Sequence, residues 1–150
     1  MATVAERQHW MGTLAKAALP ELEQCVLGLG DLPSYEFLRS PETGLAMVRG
    51  RAGGSGDAFN LGEITLTRCV VSVSGGLVVP AGFGYVKGRS HRHAELAAVC
   101  DALLQQGQWH ERVMSAVVKP LQQSLQRASA EQQQQTAATK VEFFTMRRGE

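Results

Sequence analysis

The run from Cys69 to Val86 carries no charged residue, and it constrains the fold more than any other stretch. An uncharged run of this length is either a membrane span or buried secondary structure. A bilayer span needs about 20 mostly apolar residues. Pro80, Gly75, Gly76, Gly82, Gly84, Ser72 and Ser74 interrupt this one, so it reads as strands and turns. The pattern predicts a long strand from Leu61 to Val73 and a two-residue turn at Gly75-Gly76. A return strand then runs from Leu77 to Lys87, with Pro80 tolerated at an edge or bulge. Apolar positions in the first strand change parity, from Ile64, Leu66 and Val70 to Cys69, Val71 and Val73. That change predicts burial on both faces or a bulge near Arg68.

Helical patterns flank these strands. Thr3 followed by Glu6 is a capping-box pair, so a helix starts near Val4 with Trp10, Met11, Leu14, Ala15 and Ala18 on its apolar face. Pro20 suits the first turn of a second helix, Gly28 or Gly30 its end, and Leu22, Cys25, Val26 and Leu29 its buried stripe. Tyr35 to Leu38 reads as a short strand, Ser40 to Gly44 as a turn, and Leu45 to Val48 as another strand. Ser90 is an N-cap for a largely buried, alanine-rich helix from about His91 to Gln106, which Gly107 would stop. A helical stripe runs from Val113 to Ala128, and Pro120 within it predicts a kink or two consecutive helices. Gln132 to Gln135 reads as a fraying end or linker. Helices, strands and helices in that order predict an α+β fold. The expected architecture is an antiparallel sheet of about four strands with N- and C-terminal helices packed on it. Residues 1–139 would form one domain and residues 140–150 an extended arm.

Fifteen Lys and Arg against fourteen Asp and Glu leave a net charge of +1, which argues against a general polyanion or nucleic-acid binder. The nine aromatic residues are scattered, without the basic–aromatic interleaving of single-strand binders. Cys25, Cys69 and Cys100 lack metal or disulfide spacing, so reduced, buried thiols in a cytoplasmic protein are expected. No apolar signal core precedes the first charges. Met11, Met47, Met114 and Trp10 read as core.

Three segments are candidates for chemistry. The first is the loop Gly53, Gly54 and Gly56, flanked by Arg49 and Arg51. Consecutive glycines let backbone N–H groups converge on an anion, and Arg offers bidentate phosphate contacts. The loop lacks the P-loop ending and precedes a strand, so a flexible hairpin loop is the competing reading. The second is the strand-to-helix turn with Arg89, His93 and Glu95. A helix N-terminus favours an anion, so basic residues there oppose the dipole at a small cost. His93 and Glu95 are of acid–base type, while a capped helix with a solvated first turn is the plainer alternative. Arg68 belongs either to a buried pair or to a positive patch. Between Arg49 and His93 six Lys and Arg face two Asp and Glu, so this stretch holds the excess of positive charge. If the strands bring the glycine loop near Arg89, the patch would suit phosphate or phosphonate. The third segment is the apolar tail Val141, Phe143, Phe144 and Met146, which would pair with a neighbour's sheet edge or fold onto its own sheet. No catalytic triad or metal set is visible.

Several segments together resemble a known family: Arg7-Gln8-His9-Trp10-Met11, Glu42-Thr43-Gly44-Leu45, Gly53-Gly54-Ser55-Gly56, Phe59-Asn60-Leu61-Gly62-Glu63, Thr65-Leu66-Thr67-Arg68, Gly84-Tyr85-Val86-Lys87-Gly88-Arg89, His93-Ala94-Glu95 and Phe143-Phe144-Thr145-Met146. Their order and spacing resemble the PhnG family of small subunits in the bacterial carbon–phosphorus lyase system. Ser90 departs from the acidic residue expected after Gly-Arg. The resemblance implies a role in phosphonate catabolism, in the step that joins an alkylphosphonate to the ribose triphosphate of MgATP with release of adenine. It implies the other subunits of the core complex as partners, ATP and alkylphosphonate as substrates of the complex, and no cofactor, nucleic acid or membrane for this chain. Catalytic residues are not carried over by the resemblance, and the competing readings are a purely structural assembly subunit with no direct role in chemistry and a stand-alone enzyme on a phosphorylated small molecule.

Overall fold

The computed structural model describes residues 3–74 and 79–140. Helix α1 spans Val4–Lys16. Its capping box is formed: the Thr3 hydroxyl accepts from the Glu6 N–H at 3.2 Å, and the Glu6 carboxylate accepts from the Thr3 N–H at 2.7 Å. Helix α2, Leu19–Leu27, has Pro20 in its first turn and ends at Gly28. Leu22, Val26 and Leu29 are buried as expected, and Cys25 is half-buried. Ala17 rather than Ala18 enters the core, because Ala18 is the extended residue that starts α2.

Three antiparallel strands follow, β1 at Tyr35–Arg51, β2 at Ala58–Val73 and β3 at Ala81–Lys87, in the order β1-β2-β3. Among the described residues the sheet therefore has three strands rather than about four. Tyr35–Leu38 and Leu45–Val48 belong to one strand, and the residues expected to turn are bulges within it. Register slips between Phe37 and Arg39 and again between Arg39 and Glu42. Each slip inserts one extra residue on β1, which restores the original parity. β1 is an edge strand, where Pro41 has no outer ladder bond to lose. The irregularity expected near Arg68 thus lies on the neighbouring strand, and β2 pairs with β3 without a break from Leu66 to Ser72. The return strand begins at Ala81, after Pro80, and the expected Gly75-Gly76 turn falls outside the described residues.

Helix α3, His91–Leu104, lies on β2 and β3 with α1 and α2 packed around it. Glycine and alanine make the close approach possible. A Cβ on Gly82 would come within 2.6 Å of the Ala102 nitrogen, and one on Gly84 within 2.9 Å of the Ala94 carbonyl carbon. Trp10, Leu14, Leu22, Val71, Val86 and Leu103 are among the buried residues of this core. Gly107, expected only to stop α3, also starts α4, Gly107–Val113. A π-helical turn over Met114–Val118 leads into α5, Lys119–Ala138, with Pro120 in its first turn. The missing Pro120 N–H is accommodated where the ladder changes pitch. Gln132–Gln135 is helical rather than a linker, and from Gln126 to Lys140 every residue is exposed. Met47, expected in the core, is 53% exposed on the far part of the β1–β2 hairpin. The apolar tail Val141, Phe143, Phe144 and Met146 falls outside the described residues.

Candidate functional site

The turn between β3 and α3 is built by Gly88 and Ser90. Gly88 takes φ of +97°, a left-handed conformation suited to glycine. The Ser90 hydroxyl accepts from the His93 N–H at 3.2 Å and caps α3. Arg89 is exposed between them, and among the described residues the side chains of Arg89 and Arg49 make no hydrogen bond or ion pair.

His93 and Glu95 are committed to the fold. His93 is 8% exposed, and its Nε2 lies 2.8 Å from the Leu14 carbonyl, tying α3 to α1. Glu95 accepts from the Tyr35 hydroxyl at 2.6 Å and from Arg92 at 3.1 Å. The hydrogen bond to Glu95 raises the Tyr35 pKa, and burial adds to the shift. Glu95 thus ties α3 to β1, and both candidate side chains are engaged within the fold.

A hydrogen-bond chain that the sequence did not reveal runs beside the turn. Thr67 lies 2.6 Å from the Gly88 carbonyl, Thr43 lies 3.1 Å from Thr67, and His91 Nε2 lies 3.1 Å from Thr43. A carbonyl only accepts, so Thr67 donates to Gly88. Thr67 then accepts from Thr43, and Thr43 accepts from a His91 Nε2–H. The direction of the chain places a proton on Nε2, which leaves Nδ1 as the ring's free nitrogen.

The glycine loop does not join this turn. Gly53 and Gly54 take φ of +58° and +83° in a 3-10 turn over Ala52–Gly54 at the hairpin tip. The Arg51 guanidinium donates to the Gly56 carbonyl at 3.2 Å. Arg49, Gly50, Arg51, Gly54 and Ala58 line an open recess of about 510 Å³. Gly88 is bonded to Thr65, and Ala58 lies seven residues further along β2. At about 3.3 Å per residue the loop is roughly 23 Å from the Arg89 turn. The expected merged patch of Arg49, Arg51 and Arg89 is therefore two separate basic points. Arg68 belongs to neither: its Nε contacts Glu42 at 2.6 Å, and Arg39 contacts the same carboxylate at 2.7 Å. These guanidinium hydrogen bonds, that of Arg39 foremost, hold the Glu42 pKa below its ordinary value.

Among the described residues the most connected polar group is Asp101, which sequence reasoning missed. It is fully buried on α3. Its Oδ1 accepts from Trp10 Nε1 at 2.9 Å and Arg7 Nε at 3.2 Å. Its Oδ2 accepts from Arg7 Nη2 at 2.7 Å, the Phe83 N–H at 3.0 Å and Gln105 at 3.3 Å. Arg7 and Trp10 are three apart on α1, so one helix face presents both donors. The local signal was a lone charge in the otherwise apolar run from Leu96 to Leu104. No group of His, Cys, Asp and Glu among the described residues is arranged to hold a metal ion. Burial pushes the Cys69 thiol up to about 11 and the Cys100 thiol up to about 12.

The fold defines a small α+β protein whose nominated acid–base residues bind its own elements together and whose free arginines stand on open surface. Comparison with known proteins places this construction. The family described as "Phosphonate metabolism protein PhnG" matches residues 5–149, and the chain belongs to that family. A relative from Rhizobium meliloti (strain 1021) is named "Alpha-D-ribose 1-methylphosphonate 5-triphosphate synthase subunit PhnG". The two are 43% identical over 149 residues, covering 99% of this chain and 93% of the relative. Among the described residues, no helix is long and apolar enough to cross a membrane.

Proposed function

We propose that this chain is a cytoplasmic subunit of the carbon–phosphorus lyase assembly. It supports transfer of the ribose triphosphate of ATP to an alkylphosphonate such as methylphosphonate. In that reaction a phosphonate oxygen forms the bond to ribose C1′, the C1′–N bond to adenine breaks, and adenine leaves. The near-full-length identity to a subunit named for this synthase carries the reading. The site geometry narrows what the chain contributes. His93 and Glu95 hold α3 in place, so their role is to position the turn rather than to exchange protons with substrate. Arg89 stands free beside the N-terminus of α3, where an anion is favoured, and it is the group we assign to offset phosphonate charge. Arg49 and Arg51 form a second, separate anion contact at the hairpin tip. Both await a surface supplied by another subunit.

The test is reconstitution of the synthase with and without this chain, following adenine release from MgATP and methylphosphonate. The chain should be required for phosphonate-dependent release. Arg89→Ala should raise the KM for methylphosphonate about tenfold, the effect of losing one charge-assisted contact, while the assembly still forms. Full activity without the chain would refute the subunit role. Unchanged kinetics in Arg89→Ala would refute the assignment of Arg89.

A further inference from the structure

His91 opens α3 two positions after Arg89, and it is exposed. Its ring is nevertheless held in place. Thr67, fully buried on β2, donates its hydroxyl proton to the Gly88 carbonyl at 2.6 Å. It therefore accepts from Thr43 at 3.1 Å, and Thr43, its own proton committed, accepts from His91 Nε2 at 3.1 Å. Burial accounts for the first of these bonds and no more. Thr67 has its acceptor in Gly88, and the exposed Thr43 and His91 have water as an alternative partner. What the two outer members add is a fixed imidazole plane and a fixed tautomer, with the proton on Nε2 and the lone pair on Nδ1. Two other histidines are used differently. His93 Nε2 lies 2.8 Å from the Leu14 carbonyl and His110 Nδ1 lies 2.7 Å from the Leu104 carbonyl, so both rings tie the fold together. Among the described residues, His91 Nδ1 has no partner.

Arg89 and His91 offer complementary chemistry from one turn. A guanidinium donates hydrogen bonds and accepts none, whereas the bare Nδ1 of a neutral imidazole accepts and does not donate. An anion that satisfies both carries an acceptor oxygen and an O–H group. The hydrogen phosphonate monoanion has both. A sulfonate has the same charge and no proton, so its oxygen lone pairs would face the lone pair of Nδ1. The difference bears on reactivity as well as on recognition. A phosphonate oxygen attacks carbon more readily once the neighbouring proton is taken away, and a positioned base contributes about 10²–10⁴-fold in rate.

We propose that His91 is the proton acceptor for the phosphonate, with Thr43 as the positioning residue that keeps its Nδ1 bare. Nδ1 takes the proton of the P–O–H group, the phosphonate oxygen forms the bond to ribose C1′, and the C1′–N bond breaks. Adenine takes up one proton from water, and His91 returns one to water. The inference rests on the subunit reading and on Arg89 as the anion contact. The reconstituted synthase, with the full chain, is to be assayed for adenine release from MgATP and methylphosphonate. His91→Gln keeps an amide able to reach Thr43 and places nothing at the Nδ1 position. It should lower kcat about a hundredfold while the assembly still forms. Thr43→Val keeps the imidazole and frees its tautomer, so it should lower kcat by a smaller factor. Nitrogen-15 spectra of the histidine-labelled chain, with the imidazole neutral, should show Nε2 protonated and Nδ1 bare in the wild type, and both tautomers in Thr43→Val. A wild-type kcat in His91→Gln would overturn the proposal, and so would a change confined to KM, which a binding contact alone produces. An Nδ1-protonated ring in the wild type would overturn it too. Methanesulfonate competing with methylphosphonate as an equal would remove the need for an acceptor. Loss of His91→Gln from the assembly would assign the residue to an interface and overturn its role in proton transfer. Each of these outcomes leaves the subunit reading standing, whereas adenine release that does not need this chain would refute that reading and the proposal with it.

Discussion

Replacing Asp101 with Asn removes one negative charge and no volume, and the structure sets the expected cost. Asp101 Oδ1 receives two donors and Oδ2 three, counting both Arg7 nitrogens. The amide of Asn has one acceptor and one donor end. The better orientation keeps the oxygen at the Oδ2 position and turns the NH2 toward Trp10 Nε1 and Arg7 Nε. The buried indole N–H then has no acceptor, which costs about 1–3 kcal/mol. The Arg7 side chain is 33% exposed, so the lost ion pair weighs less than the 3–5 kcal/mol typical of fully buried pairs. Together these give about 3 kcal/mol. For a chain of this size that lowers the melting temperature by roughly 6–12 °C. Arg7→Ala breaks the same ion pair and leaves a fully buried carboxylate with only Trp10, Phe83 and Gln105 as donors, so it should cost a comparable amount, about 3 kcal/mol. Urea unfolding followed by circular dichroism measures both variants. A loss below about 1 kcal/mol for either variant would refute the account of Asp101 as the tie between α1, β3 and α3.

Gly82→Ala and Gly84→Ala should each destabilise by about 2–3 kcal/mol through overpacking against α3. Gly44→Ala meets nothing within 4 Å and should be close to neutral in the same denaturation series. Intact-mass analysis after iodoacetamide treatment at pH 8 should show labelling at Cys25 and none at Cys69 or Cys100 until denaturant is added; early modification of Cys100 would contradict its burial. Glu42 has its folded pKa depressed by Arg39 and Arg68, so its stabilisation is present above the unfolded value and lost as pH falls through the folded one. Carbon-13 titration of the Glu42 carboxyl should show that depression, and Arg68→Ala should reduce it; an unchanged pKa would remove the assigned cause.

The helix starts were legible because their determinants are local. Thr3 with Glu6, Pro20 and Ser90 each act within one turn. The strand β1 was not, because Ser40 to Gly44 has the chemistry of a turn and only its place on the sheet edge turns it into bulges. Pairing partners about 30 residues away decide that, and no window over residues 40–44 contains them. At the candidate site, the sequence showed that Arg89, His93 and Glu95 meet at a strand-to-helix junction. It did not show that His93 points at the Leu14 carbonyl or Glu95 at the Tyr35 hydroxyl, since both partners come from distant segments. The roughly 23 Å between the glycine loop and Arg89 follows from the length of the hairpin beyond β3. That length depends on the fusion of two predicted strands into one.

The link between Arg7 and Asp101 spans 94 positions of the chain. During synthesis, α1 is made long before the carboxylate that holds it. At about 5–20 residues per second the interval is roughly 5–20 s. For most of that time Trp10 and Leu14 have neither α3 nor β3 to cover them. Helix α1 of the nascent chain thus carries Trp10 and Leu14 as a sticky surface until α3 has been made.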